Sequence, residues 1–191
     1  MKVNTNLKTE KIVYFIRHGQ SKANREGLFS SPDTPLTDMG LKQALQLGIK
    51  LQDKDISQIV ASPDLRSRQT ADIIAQQIGL NKRYIKILDE LHERRFGALA
   101  GTPRQSEKHF AYTFNRDGDA ETRHQLIERM KKAIQKLKAI QVQKGYILVV
   151  GHTVSGYFMR ELLARHETYE DFSQNYHLSH GAILELKINN N

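Results

Sequence analysis

The chain has 191 residues, 39% of them hydrophobic, with no cysteine and a formal net charge of +8. That length supports one sizeable core and is short for two, and the absence of cysteine excludes disulfides, thiolate catalysis and cysteine-ligated metal. The lysines are spread through 42–54, 82–86, 131–138 and the tail among Asp and Glu, which argues against a nucleic-acid groove and leaves a field able to draw an anionic metabolite toward a cleft.

Taken in order, the polar start Met1 to Asn6 carries no apolar segment with a cleavage site behind it, and no apolar run approaches the roughly twenty residues of a membrane span. A cytoplasmic protein without a membrane partner is expected. Ile12 to Ile16 is a continuous β-branched and aromatic run, the pattern of a strand buried on both faces. Gln20 to Pro35 reads as an irregular stretch long enough to shape a site. Thr37 can cap a helix whose apolar positions are Leu41, Ala44, Leu45, Gly48 and Leu51. Ile59 to Ala61 is a short buried strand ending at Ser62-Pro63, followed by a helix that turns Leu65, Ile73, Ile74 and Ile78 inward until Gly79 stops it. Residues 84–88 alternate as a strand, and 89–119 form an excursion over the site with one short helix at 104–114. An amphipathic helix spans 120–141, with Leu126, Met130, Ala133, Leu137 and Ile140 on one stripe. Tyr146 to Val150 is the strongest strand, giving way at Gly151-His152 to a helix burying Phe158, Leu162 and Leu163; Ala182 to Ile188 closes as a strand near an edge. This alternation predicts one α/β domain over 1–191, a three-layer α/β/α sandwich around a mostly parallel sheet.

Polar residues fall at equivalent places in that order. Arg17 and His18 end the first strand, Ser62-Pro63 ends another one turn before Arg66, and His152 ends a third. In a parallel sheet, function gathers outside the carboxyl ends of the strands, so His18 and His152 are expected to face one another with Arg17 and Arg66 beside them. Such a cluster of cations needs an anion, and a phosphoryl group is the natural occupant. A neutral imidazole can attack phosphorus in line and become phosphohistidine while guanidinium forks hold the remaining oxygens. The leaving alcohol then needs a proton and the phosphoenzyme an activated water, tasks for a carboxylic acid with a raised pKa. Glu93, at the start of the excursion, is the candidate; its alternative is a surface pair with Arg94 or Arg95.

These residues resemble a known family. Arg17-His18-Gly19-Gln20-Ser21 with Asn24, Ser62-Pro63-Asp64-Leu65-Arg66-Ser67-Arg68-Gln69-Thr70-Ala71, Leu91 to Gly97 and Gly151-His152 are similar to the landmarks of the histidine phosphatase superfamily, in its phosphoglycerate-mutase-like branch. Pro35-Leu36-Thr37 with Gly40 also matches the stretch that introduces the family's first helix, so the likeness runs from about residue 11 to 188. The resemblance implies a phosphoglycerate-mutase-like fold, His18 as nucleophile and Glu93 as general acid and base. It implies a phosphate pocket of Arg17, Arg66, His152 and Asn24, and neither metal nor organic cofactor.

Departures narrow the expectation. Gly97-Ala98-Leu99-Ala100-Gly101 replaces the Gly-x-Trp-Glu-Gly of many phosphatases, and in the mutase-like wording Arg94 resembles an arginine that holds substrate carboxylate. Yet the chain is shorter than the cofactor-dependent mutases and lacks their long insertion, so water should intercept the phosphoenzyme. Asp119-Ala120-Glu121-Thr122 only loosely matches the usual Gly-Glu-Ser, and Thr153-Val154-Ser155-Gly156 replaces a commoner Gly-rich run. Ser21, Arg68, Arg95, Arg104 and His180 are rim candidates, Ser21 among those contacting substrate. The expected activity is a metal-independent phosphomonoester hydrolase, taking a small phosphorylated metabolite and releasing inorganic phosphate. The alternatives are a cofactor-dependent phosphoglycerate mutase, a phosphoprotein phosphatase and a non-catalytic phospho-ligand or protein-binding module. Oligomeric state stays open.

Overall fold

A computed structural model describes residues 10–104, 119–164 and 178–189. Strand β1 (Glu10–Arg17) forms where the β-branched run predicts it, one or two residues longer at each end. It is joined by β2 (Ile56–Ala61), β3 (Ile85–Ile87), β4 (Tyr146–Gly151) and β5 (Ile183–Asn189) in one sheet of order β3-β2-β4-β1-β5. All neighbours are parallel except β5, which lies antiparallel on β1 at the sheet's edge. Arg17 is in register with Gly151 and Ala61 with Val150, so the carboxyl ends of β1, β4 and β2 share one rim.

Successive strand residues point to opposite faces, and each face takes two helices. Tyr14, Ile16, Ile59, Ala61, Leu148 and Val150 pack against α2 (Asp38–Leu51) and α3 (Leu65–Gln77). Val13, Phe15, Val60, Ile147 and Val149 pack against α4 (Arg123–Ala139) and α5 (Thr153–Ala164). The three-layer expectation therefore holds. Helix α4 is shorter than 120–141 because Thr122 and Gln125 form a capping box that sets its start. Its stripe of Leu126, Met130, Ala133 and Leu137 is fully buried.

Three local expectations change. The stretch after β1 is not wholly irregular: Ser21 and Asn24 form a capping box that starts α1 (Lys22–Glu26). On α2 the buried face is Gly40, Ala44, Leu47, Gly48 and Leu51, while Leu41 and Leu45 stay exposed, because α3 docks on the other side of their period. On α3 Ile74 is fully buried but Leu65, Ile73 and Ile78 are only half-buried. Most of the helix expected at 104–114, and much of the 89–119 excursion, lies outside the described residues.

The loop after β1 is clamped onto α2 by two glycines. A Cβ on Gly40 would stand 2.1 Å from the Gln20 carbonyl oxygen, and one on Gly19 would stand 2.3 Å from that of Gly40. Only glycines permit so close an approach of two backbones. The Thr37 N–H donates to the Gln20 carbonyl at 2.9 Å, while the Thr37 hydroxyl accepts from the Gly40 N–H at 3.1 Å and so caps α2.

Candidate active site

His18 follows the last residue of β1, where its backbone N–H donates to the Gly151 carbonyl at 3.0 Å. Its ring is buried. Nδ1 lies 2.6 Å from the Gly19 carbonyl, which can only accept, so Nδ1 carries the proton and Nε2 keeps its lone pair. The Arg66 Nε–H donates to that Nε2 at 3.2 Å. Burial, then the charges of Arg66 and Arg17, push the His18 pKa well below 6.5. The result is a neutral imidazole with its free nitrogen turned toward a guanidinium.

Arg66 stands in the first turn of α3, nearly fully buried. Its Nη1 donates to the Ser31 carbonyl at 2.9 Å, and its Nη2 donates to Asp64 Oδ2 at 2.8 Å and to His152 Nδ1 at 3.2 Å. Because an arginine can only donate, His152 Nδ1 is the acceptor and Nε2 bears the proton. That Nε2 faces Ser62 Oγ at 2.7 Å, Asp64 Oδ2 at 3.2 Å and Ser67 Oγ at 3.3 Å. The ring centroids of His18 and His152 are 5.0 Å apart, so the two imidazoles meet as the parallel strand ends predict. Burial and then Arg66 also push the His152 pKa well below 6.5. Arg17 donates from Nη1 to the Leu178 carbonyl at 3.0 Å, while its buried Nε has no hydrogen-bond partner among the described residues. Burial lowers its pKa to about 10, with Glu93 opposing and Arg104 and Arg66 adding to the shift.

Glu93 follows β3 and a single 3-10 turn at Asp89–Leu91. Among the described residues its carboxylate is not paired with an arginine side chain. Oε1 accepts from the N–H groups of Arg94 at 3.0 Å and Ser155 at 3.2 Å, and Oε2 accepts from Val154 at 3.3 Å. Two of these donors are the unsatisfied amides that open α5, directly after His152, so the same helix start places both groups. Its charge reaches the guanidinium groups of Arg17 and Arg66 and opposes the lowering of their pKa values by burial.

The remaining candidates divide. Asn24 Oδ1 accepts from the Ser21 N–H at 3.2 Å, and Ser21 Oγ accepts from the Asn24 N–H at 3.2 Å. The capping box thereby occupies Asn24's acceptor and leaves its amide as the donor available to an anion. Arg94 is buried and its Nε donates to the Glu121 carbonyl at 2.9 Å; burial lowers its pKa to about 10. His180 Nδ1 donates to the His18 carbonyl at 2.8 Å, its ring 5.9 Å from that of His18. Arg68 and Arg95 are exposed, and Arg104 lies over the Phe29 ring at 5.5 Å.

The sequence reading did not single out Asp64, Ser62, Ser67 or Ser31. Asp64 is the hinge of the site: Oδ2 accepts from Arg66, from His152 and from the Glu93 N–H at 3.4 Å. Its place between Ser62-Pro63 and the buried Arg66 was the available signal. Thr70 Oγ1 accepts from the Gly19 N–H at 3.1 Å and ties α3 to the loop that carries His18. Among the described residues, no group of three or more His, Asp and Glu is placed to hold a metal ion.

A neutral imidazole among buried guanidinium groups, with a carboxylate on the loop beside it at the carboxyl rim of a mostly parallel sheet, defines an α/β/α protein whose strand ends gather cationic donors. The chain belongs to the histidine phosphatase superfamily (branch 1), whose family model matches residues 13–191. It is 37% identical over 89 residues to a 2,3-bisphosphoglycerate-dependent phosphoglycerate mutase of Borrelia garinii, covering 45% of this chain and 36% of that protein. The match thus spans about a third of that relative's length. Among solved structures, YhfR of Bacillus stearothermophilus superposes with a TM-score of 0.78 at 20% identity, over 92% of this chain and 90% of that one. The alpha-ribazole phosphatase of Shigella flexneri gives a TM-score of 0.67 at 25% identity, over 81% and 78%.

Proposed function

We propose that the chain, as one histidine phosphatase domain, is a phosphomonoester hydrolase that works through phosphohistidine on a small phosphorylated metabolite. The observation that carries this reading is the His18 ring: the Gly19 carbonyl holds the proton on Nδ1, and the reactive nitrogen is turned to Arg66. Nε2 attacks phosphorus as the P–O bond to the alcohol breaks. Arg17, Arg66 and the Asn24 amide hold the phosphoryl oxygens, and Glu93 delivers the proton that the leaving alkoxide takes. Water, deprotonated by the same carboxylate, then attacks phosphorus, releasing inorganic phosphate and restoring the neutral imidazole.

His152 has a conditional part in this scheme. Its neutral state comes from burial and cationic neighbours, and a bound phosphoryl dianion opposes the second of these. Protonation at Nδ1 then turns that nitrogen from an acceptor into a donor to a phosphoryl oxygen. Ser21 and Arg94 take supporting parts, the first by fixing Asn24 and the second as a buried cation near Glu93.

A second reading, phosphoglycerate mutase activity, is favoured by the similarity to the Borrelia garinii mutase. Product analysis separates the two. A panel of sugar phosphates, phosphoglycerates, nucleotides and phosphoamino acids, run beside H18A, should show His18-dependent release of inorganic phosphate. Isomerised phosphoglycerate without net release would establish the mutase instead. H18A is expected to lower kcat about a thousand-fold or more while the protein stays folded; normal turnover in H18A removes the nucleophile assignment. The cytoplasmic place is likewise our proposal; among the described residues no helix is long and apolar enough to cross a membrane.

A further inference from the structure

Glu93 sits in a stretch, His92 to Phe96, that belongs to no helix or strand. Its backbone carbonyls therefore need partners from elsewhere. Two of them, those of His92 and Glu93, accept from one side chain, Arg129 on α4, and the Glu93 carbonyl accepts from His92 Nδ1 at 2.6 Å as well. Nη1 of Arg129 donates to the Glu90 carbonyl at 2.6 Å and to the His92 carbonyl at 2.8 Å. Nη2 donates to the Glu93 carbonyl at 3.5 Å and to Glu121 Oε2 at 2.6 Å, and Nε donates to Glu121 Oε1 at 2.6 Å. These five bonds use all five N–H groups of the guanidinium, so Arg129 has no donor left for a substrate.

Glu121 completes the clamp from just before the α4 cap. Its N–H donates to the Arg95 carbonyl at 2.8 Å, its Oε2 accepts from the Arg95 N–H at 3.2 Å, and its carbonyl accepts from Arg94 Nε. The pair is largely withdrawn from solvent, with side-chain exposures of 12% for Arg129 and 8% for Glu121. Glu93 is thus fixed from two sides. Arg129 holds its backbone from α4, and the opening amides of α5 hold its carboxylate.

We propose that Arg129, together with Glu121, is a positioning residue that sets the Glu93 carboxylate for proton transfer. This rests on reading Glu93 as the general acid and base. A misplacement of about 1 Å in such a group costs on the order of a hundred-fold in rate. A lysine at 129 keeps the charge but loses the planar fork that reaches a carboxylate and three carbonyls together.

The test uses kcat/KM, which reports the steps through phosphoenzyme formation, for two monoesters. p-Nitrophenyl phosphate has a leaving group that departs without a proton; the alkyl monoester turned over fastest in the panel needs one. R129K is expected to lower the alkyl-to-aryl ratio at least ten-fold, with p-nitrophenyl phosphate changed less than three-fold. E121Q should move the ratio the same way, and it decides the matter if R129K does not fold. In an E93Q background, where the acid is already gone, R129K should change the ratio less than two-fold further. Equal losses on both esters in R129K and E121Q would show a structural strut and overturn the proposal. An unchanged ratio in E93Q itself would instead sink the reading of Glu93. A shifted ratio in E93Q with none in R129K and E121Q sinks the clamp alone.

Discussion

At His18 and His152, the burial that keeps both rings neutral also makes the fold acid-sensitive. Both rings are buried and neutral, with pKa values pushed well below 6.5 by burial and by neighbouring arginines. An unfolded histidine titrates near 6.5, so between that value and the depressed folded pKa the unfolded chain binds more protons. Stability from these groups is therefore fully present above about pH 6.5 and is lost as pH falls toward the folded values. Thermal melts from pH 7.5 to 5 should show a falling Tm, with a shallower fall in H18N, which has one fewer imidazole to charge. If H18N keeps the wild-type slope, His18 is not a source of the acid sensitivity. The residue identities were legible in the sequence: Arg17, His18, Arg66, Glu93 and His152 all meet at one rim. Asp64 was not singled out, because a lone Asp between proline and leucine shows nothing of the three donors that the fold brings to its Oδ2.

Among the elements, the placement of His18 depends on how closely β1's exit loop lies against α2. The Cβ of G40A would meet the Gln20 carbonyl, a backbone atom that cannot swing aside as a flexible side chain can. Overpacking of this kind costs about 1–3 kcal/mol. Here the displaced backbone adjoins Gly19, whose carbonyl orients the His18 ring. G40A is expected to lower the free energy of unfolding measured in urea by that amount and to lower kcat as well; a variant as active and stable as wild type would show that the loop relaxes at no cost. Element boundaries were harder to read than element types. The short helix α1 was missed because its signal is a reciprocal pair of hydrogen bonds between Ser21 and Asn24, not a hydrophobic period. The face of α2 was partly misassigned for a related reason. Leu41 and Leu45 fit an apolar stripe, but the closer contact is the one Gly48 permits against Gln77 of α3.

For the whole molecule, the net charge of +8 and the buried arginines both favour an anion, the class of ligand proposed above. Sulfate, phosphate or vanadate should bind competitively with substrate and raise the Tm. Saturation at a hundred times Kd adds about 2.7 kcal/mol of stability, and an unchanged Tm at high vanadate would argue against a phosphate pocket. Association with an anionic substrate should weaken with salt, since ionic strength screens the long-range field. A kcat/KM indifferent to 0.02–0.3 M salt (about 20 to 6 Å in screening length) would mean that the surface charge plays no part in capture.

The sequence alone determined the α/β/α layering, because alternating strand and helix periods leave few ways to bury both faces of a sheet. It also named residues that the fold gathers at one rim, Arg17, His18, Arg66, Glu93 and His152, because they stand at strand ends or just beyond them. The protonation of His18, the hub at Asp64 and the clamp of Arg129 and Glu121 on Glu93 were decided only by tertiary structure. Each depends on which carbonyl, carboxylate or amide a side chain meets: some partners lie close in sequence, Gly19 beside His18 and Asp64 near Arg66, while strand pairing and helix docking bring others from far along the chain, as with Arg66 and His18, Arg94 and the Glu121 carbonyl or Asp64 and His152.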